Sequence, residues 1–407
     1  MRFCFPTTFY PPFSFGGDAV GVQRLARALV RRGHQVTVVH DLDAYHTLHD
    51  GPRPTAPAAD DGVEVIALES GVAPLSVLLT QQTGRPTLNA RRLGEILGDG
   101  KFDVINFHNA SLVGGPGLLS YGGATTRIYM AHEHWLVCPT HVLWRHNREV
   151  CDRRECFRCQ LHYRRPPQLW RSNGYLDQQL RHVHAFIAMS EFSRDKHYEF
   201  GFPQKMEVMP YFLSDPDPTP SPTPAHATDS APPHDRPYFL FVGRLEKIKG
   251  LEQVIPLFRH YDAADLLIAG DGNYSDQLRA LAAGNERVTF LGRVPLEELK
   301  RYYHHAIATV VPSVCFETFG IIIIESFKER TPVIARRLGP FPEIMEQSDG
   351  GELFDTDAEL LSAMHRLQTE PAYRERKACN AHRAYVERWS ERAVIPQYLD
   401  IVARARA

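Results

Sequence analysis

Short runs of β-branched and aromatic residues alternate with helical patterns along most of the chain, and this alternation restricts the fold more than any other feature. Apolar runs separated by helices are typical of parallel strands, because crossover helices cover both faces of such a sheet. We therefore predict an α/β protein whose strands are parallel and mostly buried.

Strand and helix patterns recur in both halves of the chain. The predicted strands before residue 213 are RFCF, QVTVVH, VEVIAL, DVINFH, RIYMAH and AFIAMS. Those after residue 236 are YFLFVG, DLLIAG, VTFLG, ATVVPS and PVIARR. The predicted helices cover residues 21–32, 251–259, 274–283, 296–303 and 320–328.

Residues 213–236 are rich in proline, serine, threonine and alanine, and such a segment cannot bury a core. We predict a linker there, since 407 residues also exceed one ordinary core. The expected architecture is two Rossmann-like, doubly wound lobes, at 1–212 and 237–385, with a helix at 386–407 packing back on the first lobe. Loops at the carboxyl ends of the strands would face a cleft between the lobes.

Charge and hydropathy exclude several classes of protein. A formal net charge of −2 argues against general nucleic-acid binding. The N-terminus MRFCFPTTFYPP lacks a basic region followed by an apolar run, and nowhere do about 18 uncharged apolar residues run together. We therefore expect a cytoplasmic protein that does not span a membrane.

The segment CFETFGIIIIESF, at residues 315–327, places Glu317 and Glu325 on either side of an apolar run. We predict a strand, a loop carrying Glu317, and a helix that opens at about Gly320. The free amides of a helix start can bind an anion, and flanking carboxylates can accept from hydroxyls, which suits a sugar nucleotide. On local sequence alone, a capping Glu317 and a solvent-exposed Glu325 fit equally well.

Five features of the second half occur together in a recognisable order. They are FVGRLEKIKG (241–250), IAGDGNYSDQL (268–278), VTFLGRVPLEEL (288–299), the two glutamates and PVIARRLGPFPEI (332–344). With these motifs the chain resembles the retaining glycosyltransferases of the two-lobed GT-B fold, family 4, over nearly its whole length.

The resemblance implies that the donor is a nucleotide-diphosphate sugar whose phosphates are held by Arg244 and Lys249. Both follow a predicted strand, and two cations can neutralise a diphosphate. Two solvated surface cations are the alternative. The resemblance gives Glu317 a catalytic contact with the donor-sugar hydroxyls and Glu325 the ribose hydroxyls. Because cations and helix amides already face the phosphates, no catalytic divalent metal is expected.

The resemblance places further donor contacts on two loops and at the helix start. They are Gly16, Gly17, Arg293, Val294, Thr318, Phe319, Gly320 and Ile321. Glycines at 16 and 17 let backbone amides approach the donor phosphate or the acceptor. Their spacing differs from the G-x-G-x-x-G fingerprint of dinucleotide-binding proteins, so a nicotinamide cofactor is not expected.

In AHEHW, His132 follows a predicted strand, and the family has a histidine here that contacts the transferred sugar near the reacting centre. His132 is therefore the second catalytic candidate. Two alternatives stay open, because the chain contains 20 histidines and the H-E-H spacing also fits a metal site. His108, at the end of another strand, is a weaker candidate.

Four cysteines, Cys138, Cys151, Cys156 and Cys159, lie in a polar insert at about residues 138–171. Four thiolates can enclose a tetrahedral Zn²⁺, and C-x2-C is the usual half-site. Some family members carry similar cysteines after this histidine motif. We predict structural zinc, with an iron–sulfur cluster, free thiols or disulfides as alternatives. A closed four-cysteine site has no open position for chemistry.

The same insert is basic and aromatic between Trp144 and Arg171. It contains eight arginines against three acids, with Phe157, Tyr163 and Trp170 interspersed. A solvated surface is one interpretation. The other is an acceptor-side patch for an anionic or lipid-linked substrate, with peripheral contact to a membrane.

The resemblance implies an enzyme that transfers a hexose-type sugar onto an acceptor hydroxyl in glycan, glycolipid or natural-product synthesis, with retention of configuration. A sugar-nucleotide epimerase or a phosphorylase shares this fold, although the pyridoxal lysine of a phosphorylase is not identifiable. A nucleic-acid or partner-binding protein built on the cysteine module is the alternative outside the enzymes.

Overall fold

The computed structural model describes residues 1–49, 51, 54–55, 60–214 and 231–407. They divide into an N-terminal unit, Met1–Ser214 with Val394–Ala407, and a C-terminal unit, Asp215–Ala393. Most of the predicted linker, from 215 to 230, lies outside the described residues.

Most strands of the N-terminal unit follow the predicted runs. They are β1 (Arg2–Thr7), β2 (Gln35–Asp41), β3 (Glu64–Leu68), β4 (Val104–Phe107), β5 (Thr126–Ala131), β6 (Trp144–Arg145), β7 (Glu149–Val150), β8 (Ala185–Ala188) and β9 (Met206–Val208). The parallel sheet has the order β3-β2-β1-β4-β5-β8-β9, so the strand order reverses between β1 and β4. β4 is buried along its whole length, as both faces of the sheet are covered.

The helices of this unit connect successive strands. They are α1 (Gly17–Val30), α2 (Leu42–Leu48), α3 (Ala73–Thr83), α4 (Ala90–Ile96), α5 (Cys156–His162), α6 (Tyr175–Leu180) and α7 (Glu191–Glu199). The cysteine insert contributes α5 and the short antiparallel hairpin of β6 and β7.

The C-terminal unit repeats the architecture. Its strands are β10 (Tyr238–Val242), β11 (Asp265–Ala269), β12 (Val288–Gly292), β13 (Thr309–Val311), β14 (Val333–Arg336) and β15 (Gly351–Phe354). Its helices are α8 (Leu251–Val254), α9 (Ser275–Leu281), α10 (Leu296–His305), α11 (Ile321–Lys328), α12 (Phe341–Ser348), α13 (Asp357–Thr369) and α14 (Pro371–Ala384). The parallel sheet has the order β12-β11-β10-β13-β14-β15.

Alternate residues of β10 enter cores on opposite faces of this sheet. Phe239 and Phe241 belong to one hydrophobic cluster, whereas Tyr238 and Leu240 belong to another that includes Tyr303 of α10. Period-two alternation between two apolar cores requires helices on both faces. The prediction of two doubly wound parallel sheets is therefore confirmed.

Some elements were not predicted. β9, β15 and the hairpin strands have two to four residues, too few to show a period. The helix predicted at 251–259 ends at Val254 and continues as a 3₁₀ turn, Ile255–Arg259. Pro256, at the start of that turn, has no amide hydrogen to donate within an α-helix.

The last helix, α15 (Glu391–Arg406), follows a π-helical turn at Tyr385–Trp389. Its residues from Val394 onward belong to the N-terminal unit, where the Asn106 amide donates to the buried Tyr398 hydroxyl at 3.0 Å. Neither α15 nor any other helix in the described ranges is long and apolar enough to cross a lipid bilayer.

Candidate active site

The carboxyl ends of β10 and β13 lie side by side where the strand order of the C-terminal sheet reverses. Ligands of doubly wound sheets bind outside this point. Arg244 and Lys249 follow β10, and Glu317 follows β13. The Val314 amide donates to the Ile248 carbonyl at 2.9 Å and joins the two loops. The fold thus brings Lys249 and Glu317 to one place.

Lys249 and Glu317 form an ion pair with side chains 20% and 24% exposed. The Lys249 ammonium donates to Glu317 Oε1 at 2.5 Å, and the Ser313 hydroxyl donates to the same oxygen at 3.0 Å. Burial acts to lower the pKa of Lys249, but the Glu317 carboxylate outweighs it and the pKa is raised. Burial acts to raise the pKa of Glu317, but Lys249 and Ser313 outweigh it and the pKa is lowered. Both groups are therefore charged at neutral pH.

Arg244 also faces a carboxylate. Its Nη1 donates to Glu246 Oε1 at 2.6 Å, and its side chain is half exposed. Each of the two predicted phosphate-binding cations therefore has a carboxylate partner in the ligand-free chain. Sequence reasoning missed Glu246, although its position two residues after Arg244 was visible in the GRLEKIKG motif.

Helix α11 begins at Ile321, with Gly320 as its N-cap. Gly320 has φ +113°, and a Cβ there would lie 2.8 Å from Phe341 Cε1, so the position requires glycine. Phe319 is buried, with 3% of the whole residue exposed. Thr318 and Ile321 are half-buried. The start of α11 is where the predicted anion site falls.

Glu325 lies in the second turn of α11, as predicted, with its side chain partly buried. It accepts a hydrogen bond from the Tyr303 hydroxyl of α10 at 3.2 Å. Tyr303 was not predicted as a site residue, because 22 residues separate it from Glu325 and only the packing of α10 beside α11 brings them together.

Arg293 and Val294 follow β12, two strands away from β10 in the sheet. Arg293 is highly exposed, and its Nε lies 3.8 Å from Asp271 Oδ2. Val294 packs against the cluster that contains Tyr238 and Leu240. These two residues therefore lie apart from the Lys249–Glu317 pair along the strand ends.

Gly16 and Gly17 lie at the start of α1 in the N-terminal unit. Gly16 is the N-cap with extended backbone, and Gly17 is already helical, four residues before the predicted start at Gly21. The first turn carries Asp18, which suits a helix N-terminus electrostatically. The apolar periodicity used for the prediction begins only after this polar turn.

His132 and His108 follow the neighbouring strands β5 and β4, and their rings hydrogen bond. His132 Nε2 lies 2.8 Å from His108 Nδ1, and His132 Nδ1 lies 2.5 Å from the Tyr211 hydroxyl. Burial lowers the pKa of His132 to about 4, against a smaller opposing effect of Asp18. Burial, then His132, lowers the pKa of His108 well below its usual value. Both rings are therefore neutral near pH 7. Tyr211, which contacts His132, was not predicted as a site residue from the sequence.

The four insert cysteines line one small cavity of about 20 Å³. The His146 amide donates to Cys159 Sγ at 3.3 Å, and Cys138 Sγ lies 3.3 Å from the Thr140 hydroxyl. Burial and the neighbouring thiols raise the pKa of Cys151 to about 11. In the described parts of the chain, no three His, Cys, Asp or Glu side chains are arranged so that they could hold a metal ion.

The insert's side chains divide between interior and surface. Trp144 and Trp170 are each only 5% exposed. The aromatic surface of the insert is therefore smaller than the sequence predicted. Phe157, Leu161 and Leu169 are exposed by 59%, 53% and 69%. The exposed arginines are Arg148, Arg153, Arg154, Arg158, Arg164 and Arg165. An apolar and basic surface therefore remains.

Two family models match the chain. Glycosyltransferase Family 4 matches residues 15–213, and Glycosyl transferases group 1 matches residues 223–383. With two doubly wound sheets and charged groups at the switch point, the protein is a glycosyltransferase of the GT-B fold. The chain belongs to glycosyltransferase family 4, and the family predicted from the sequence is confirmed.

Two relatives of this chain are named as glycosyltransferases. An uncharacterized glycosyltransferase of Methanocaldococcus jannaschii is 26% identical over 96% of this chain and 95% of its own length. D-inositol 3-phosphate glycosyltransferase of Thermobifida fusca is 30% identical over 43% of this chain and 45% of its own.

Solved structures share the fold. Sucrose-phosphate synthase of Thermosynechococcus elongatus has a TM-score of 0.74 at 17% identity, covering 99% of this chain and 98% of that one. Anabaena HepE, in complex with UDP and glucose, has a TM-score of 0.68 at 17% identity, covering 99% and 100%. At this identity the likeness concerns the fold alone.

Proposed function

We propose that the protein transfers a hexose-type sugar from a nucleoside diphosphate sugar to an acceptor hydroxyl, with retention of the anomeric configuration. The observation that carries this proposal is the Lys249–Glu317 pair at the switch point of the C-terminal sheet, just before the start of α11. Such a donor has anionic phosphates between two sets of hydroxyls, which matches cations, helix amides and carboxylates in one place. The UDP complex of the Anabaena protein agrees with this donor class.

The charged groups have a defined task in this reaction. Cleavage of the donor releases a diphosphate, so the main requirement is to stabilise a leaving anion. Lys249 can keep one ammonium hydrogen on Glu317 and use the others for a phosphate, because the ammonium has three donors. Arg244 has five donors, only one of which is needed for Glu246. Both cations can therefore bind the phosphates without losing their carboxylate partners.

We assign the remaining donor contacts to residues that lie after the strands of the C-terminal sheet or in α11. Glu317 accepts from the hydroxyls of the transferred sugar, and Glu325, oriented by Tyr303, accepts from the ribose. Arg293 and Val294 contact the nucleobase. This assignment accounts for two glutamates on opposite sides of one helix start.

In the N-terminal unit, His132 is assigned to the transferred sugar and the start of α1 at Gly16 and Gly17 to the donor phosphate or the acceptor. The sugar gains positive charge as the bond breaks, and a histidine that stays neutral does not repel it. A neutral His132 therefore suits a position beside the reacting carbon on charge, while its two ring nitrogens stay bonded to His108 and Tyr211.

The test is nucleotide binding followed by product analysis. We expect UDP, GDP or ADP to raise the unfolding temperature of the wild-type protein and to do so far less for Lys249→Ala. Lys247→Ala, in the same 3₁₀ turn and exposed, is the matched control and should respond like wild type. Absence of any nucleotide effect would favour a partner-binding protein, and an epimerised nucleotide sugar without transfer would favour an epimerase.

We also propose that Cys138, Cys151, Cys156 and Cys159 hold a structural zinc. Their shared cavity and the amide hydrogen bond to Cys159 support this. The described side-chain positions do not themselves form a metal site, so zinc binding would require the thiols to rearrange. Zinc would stabilise the insert and take no part in transfer.

Metal analysis of freshly purified, reduced protein tests the zinc proposal. We expect about one zinc per chain, lost in Cys156→Ser and retained in Cys379→Ser, whose cysteine is exposed on α14. Iron with visible absorption would indicate an iron–sulfur cluster, and no metal at all would leave free thiols or disulfides.

Finally, we propose that the insert brings the enzyme to the cytoplasmic face of an anionic membrane, where a lipid-linked acceptor lies. Phe157 and Leu161 are exposed one turn apart on α5, beside exposed Arg158, Arg164 and Arg165. Apolar side chains that enter the interface, with arginines at the headgroups, are the features such binding requires.

Vesicle flotation tests this contact. We expect binding to phosphatidylcholine vesicles only when phosphatidylglycerol is included, and loss of binding in the double variant Phe157→Ser, Leu161→Ser. Leu296→Ser is the matched control, because Leu296 of α10 is 53% exposed, as is Leu161. Equal flotation of both variants would reject the insert as the membrane contact.

A further inference from the structure

The two ring nitrogens of His132 contact two buried residues, His108 and Tyr211. A phenol hydroxyl is a stronger acid than a neutral imidazole N–H, and an imidazole nitrogen is the better acceptor. Tyr211 therefore donates to His132 Nδ1. With this assignment the proton of neutral His132 lies on Nε2, which donates to His108 Nδ1, and the proton of His108 lies on its Nε2, for which the described residues offer no partner.

The position of Tyr211 is set by helix α1. A Cβ on Gly21 would lie 2.5 Å from Tyr211 Cε1 and 3.0 Å from its Cδ1, so the ring rests where a side chain of α1 would otherwise be. The ring centroids of His132 and Tyr211 are 5.4 Å apart. Asp18, in the first turn of α1, acts electrostatically on both His132 and Tyr211. Tyr211 is thus packed between Gly21 of α1 and His132.

We infer that Tyr211 is a positioning residue for glycosyl transfer, which fixes the ring orientation and the Nε2–H tautomer of His132. The inference rests on the proposed role of His132 beside the transferred sugar. Tyr211 acts through His132 and through the packing of α1 against its ring. The phenol stays protonated, because burial raises the pKa of Tyr211 well above its usual range, and it remains a donor at working pH.

The test combines a spectroscopic and a kinetic measurement. In protein labelled at the histidine ring nitrogens, the His132 signals are assigned by their loss in His132→Gln. We expect Tyr211→Phe to shift the His132 nitrogen signals and to lower kcat about tenfold with donor KM unchanged, as for loss of one buried orienting hydrogen bond. Gly21→Ala, which displaces the Tyr211 ring without removing its hydroxyl, should also lower kcat.

Tyr398→Phe is the matched control, because it removes a buried, hydrogen-bonded tyrosine hydroxyl from the same unit and should change neither measurement. Unchanged His132 signals in Tyr211→Phe would overturn the inference. Shifted signals with normal kcat, or a loss confined to KM, would overturn it too. If the wild-type enzyme transfers no sugar, the proposed function fails, and the nitrogen signals alone decide whether Tyr211 sets the tautomer.

Discussion

The Lys249–Glu317 pair of the C-terminal unit is partly exposed and ionised, whereas the His108–His132 pair of the N-terminal unit is buried and neutral. Both lie at the carboxyl ends of parallel strands, beside the point where the strand order of their sheet reverses. The same backbone architecture thus supports two opposite electrostatic environments. The difference lies in the loop residues and in how deeply the fold buries them.

The proposed function assigns the two environments to the two charges that develop in glycosyl transfer. A departing diphosphate is an anion and requires cations that are held in place before the reaction. The sugar left behind becomes positive, so nearby groups should not carry positive charge. In the proposed function, the paired cations of the C-terminal unit would meet the first requirement and the neutral histidines of the N-terminal unit the second.

The largest expected effect comes from breaking the ionised pair. Lys249→Ala and Glu317→Gln should each lower kcat/KM about a hundredfold or more, equivalent to about 2–4 kcal/mol of transition-state stabilisation. Both changes should leave the fold intact, because neither side chain belongs to a hydrophobic cluster of the C-terminal unit. Steady-state transfer assays with circular dichroism check this, and near-normal turnover in both variants would reject the donor-site assignment.

The second prediction is that acid destabilises the N-terminal unit more than the C-terminal unit, because of its buried histidines. His40, His132 and His197 each have a pKa lowered to about 4 by burial, and all three lie in the N-terminal unit. The unfolded chain takes up these protons near pH 6.5, the folded chain only near 4, so stability falls as pH drops through this window. Each histidine contributes up to about 3 kcal/mol to this loss by pH 4, whereas Asp41 of the same unit, whose pKa burial raises to about 7, offsets about one histidine's share.

Hydrogen exchange at pH 7 and pH 4.5 measures that difference. We expect amide protection in β1, β4 and β5 to fall much more than protection in β10, β11 and β13. His197→Phe, which removes one such group, should reduce the loss in the N-terminal unit. Equal loss in both units would show that buried histidines do not govern acid stability.

The sequence predicted the ends of the strands and therefore the positions of Arg244, Lys249 and Glu317. It did not predict Glu246 as the partner of Arg244, because pairing depends on how side chains extend from a loop. Nor did it predict Tyr211, which lies 79 residues from His132 and reaches it only through packing against α1. Local patterns identify loops, whereas hydrogen-bond partners arise from tertiary structure.

A smaller effect should follow from a change at the start of α11. Gly320→Ala adds backbone strain at φ +113° and a contact of 2.8 Å with Phe341, and should destabilise the C-terminal unit by about 1–3 kcal/mol. Gly284→Ala is the control, because Gly284 also has positive φ but nothing among the described residues lies within 4 Å of an added Cβ. Denaturant unfolding should show a larger loss for Gly320→Ala, and equal losses would mean that Phe341 moves aside without cost.

The smallest expected effect is that of divalent ions, since transfer should be the same within about twofold in EDTA, Mg²⁺ or Mn²⁺. Enzymes that bind a diphosphate through a divalent ion require carboxylates for the ion, and here Glu317 is already paired with Lys249. Asp271 follows β11 and is the other carboxylate considered for an ion. It accepts a hydrogen bond from the Gly272 amide at 2.8 Å and thereby stabilises the turn in which it lies. The cations and the start of α11 supply the positive charge instead. Zinc content must be followed during chelation, because loss of a structural zinc would lower activity by unfolding the insert. If transfer stopped in EDTA and Mg²⁺ or Mn²⁺ restored it without zinc, the diphosphate would be metal-bound, and the comparison between the ionised pair and the neutral pair would have to include that ion.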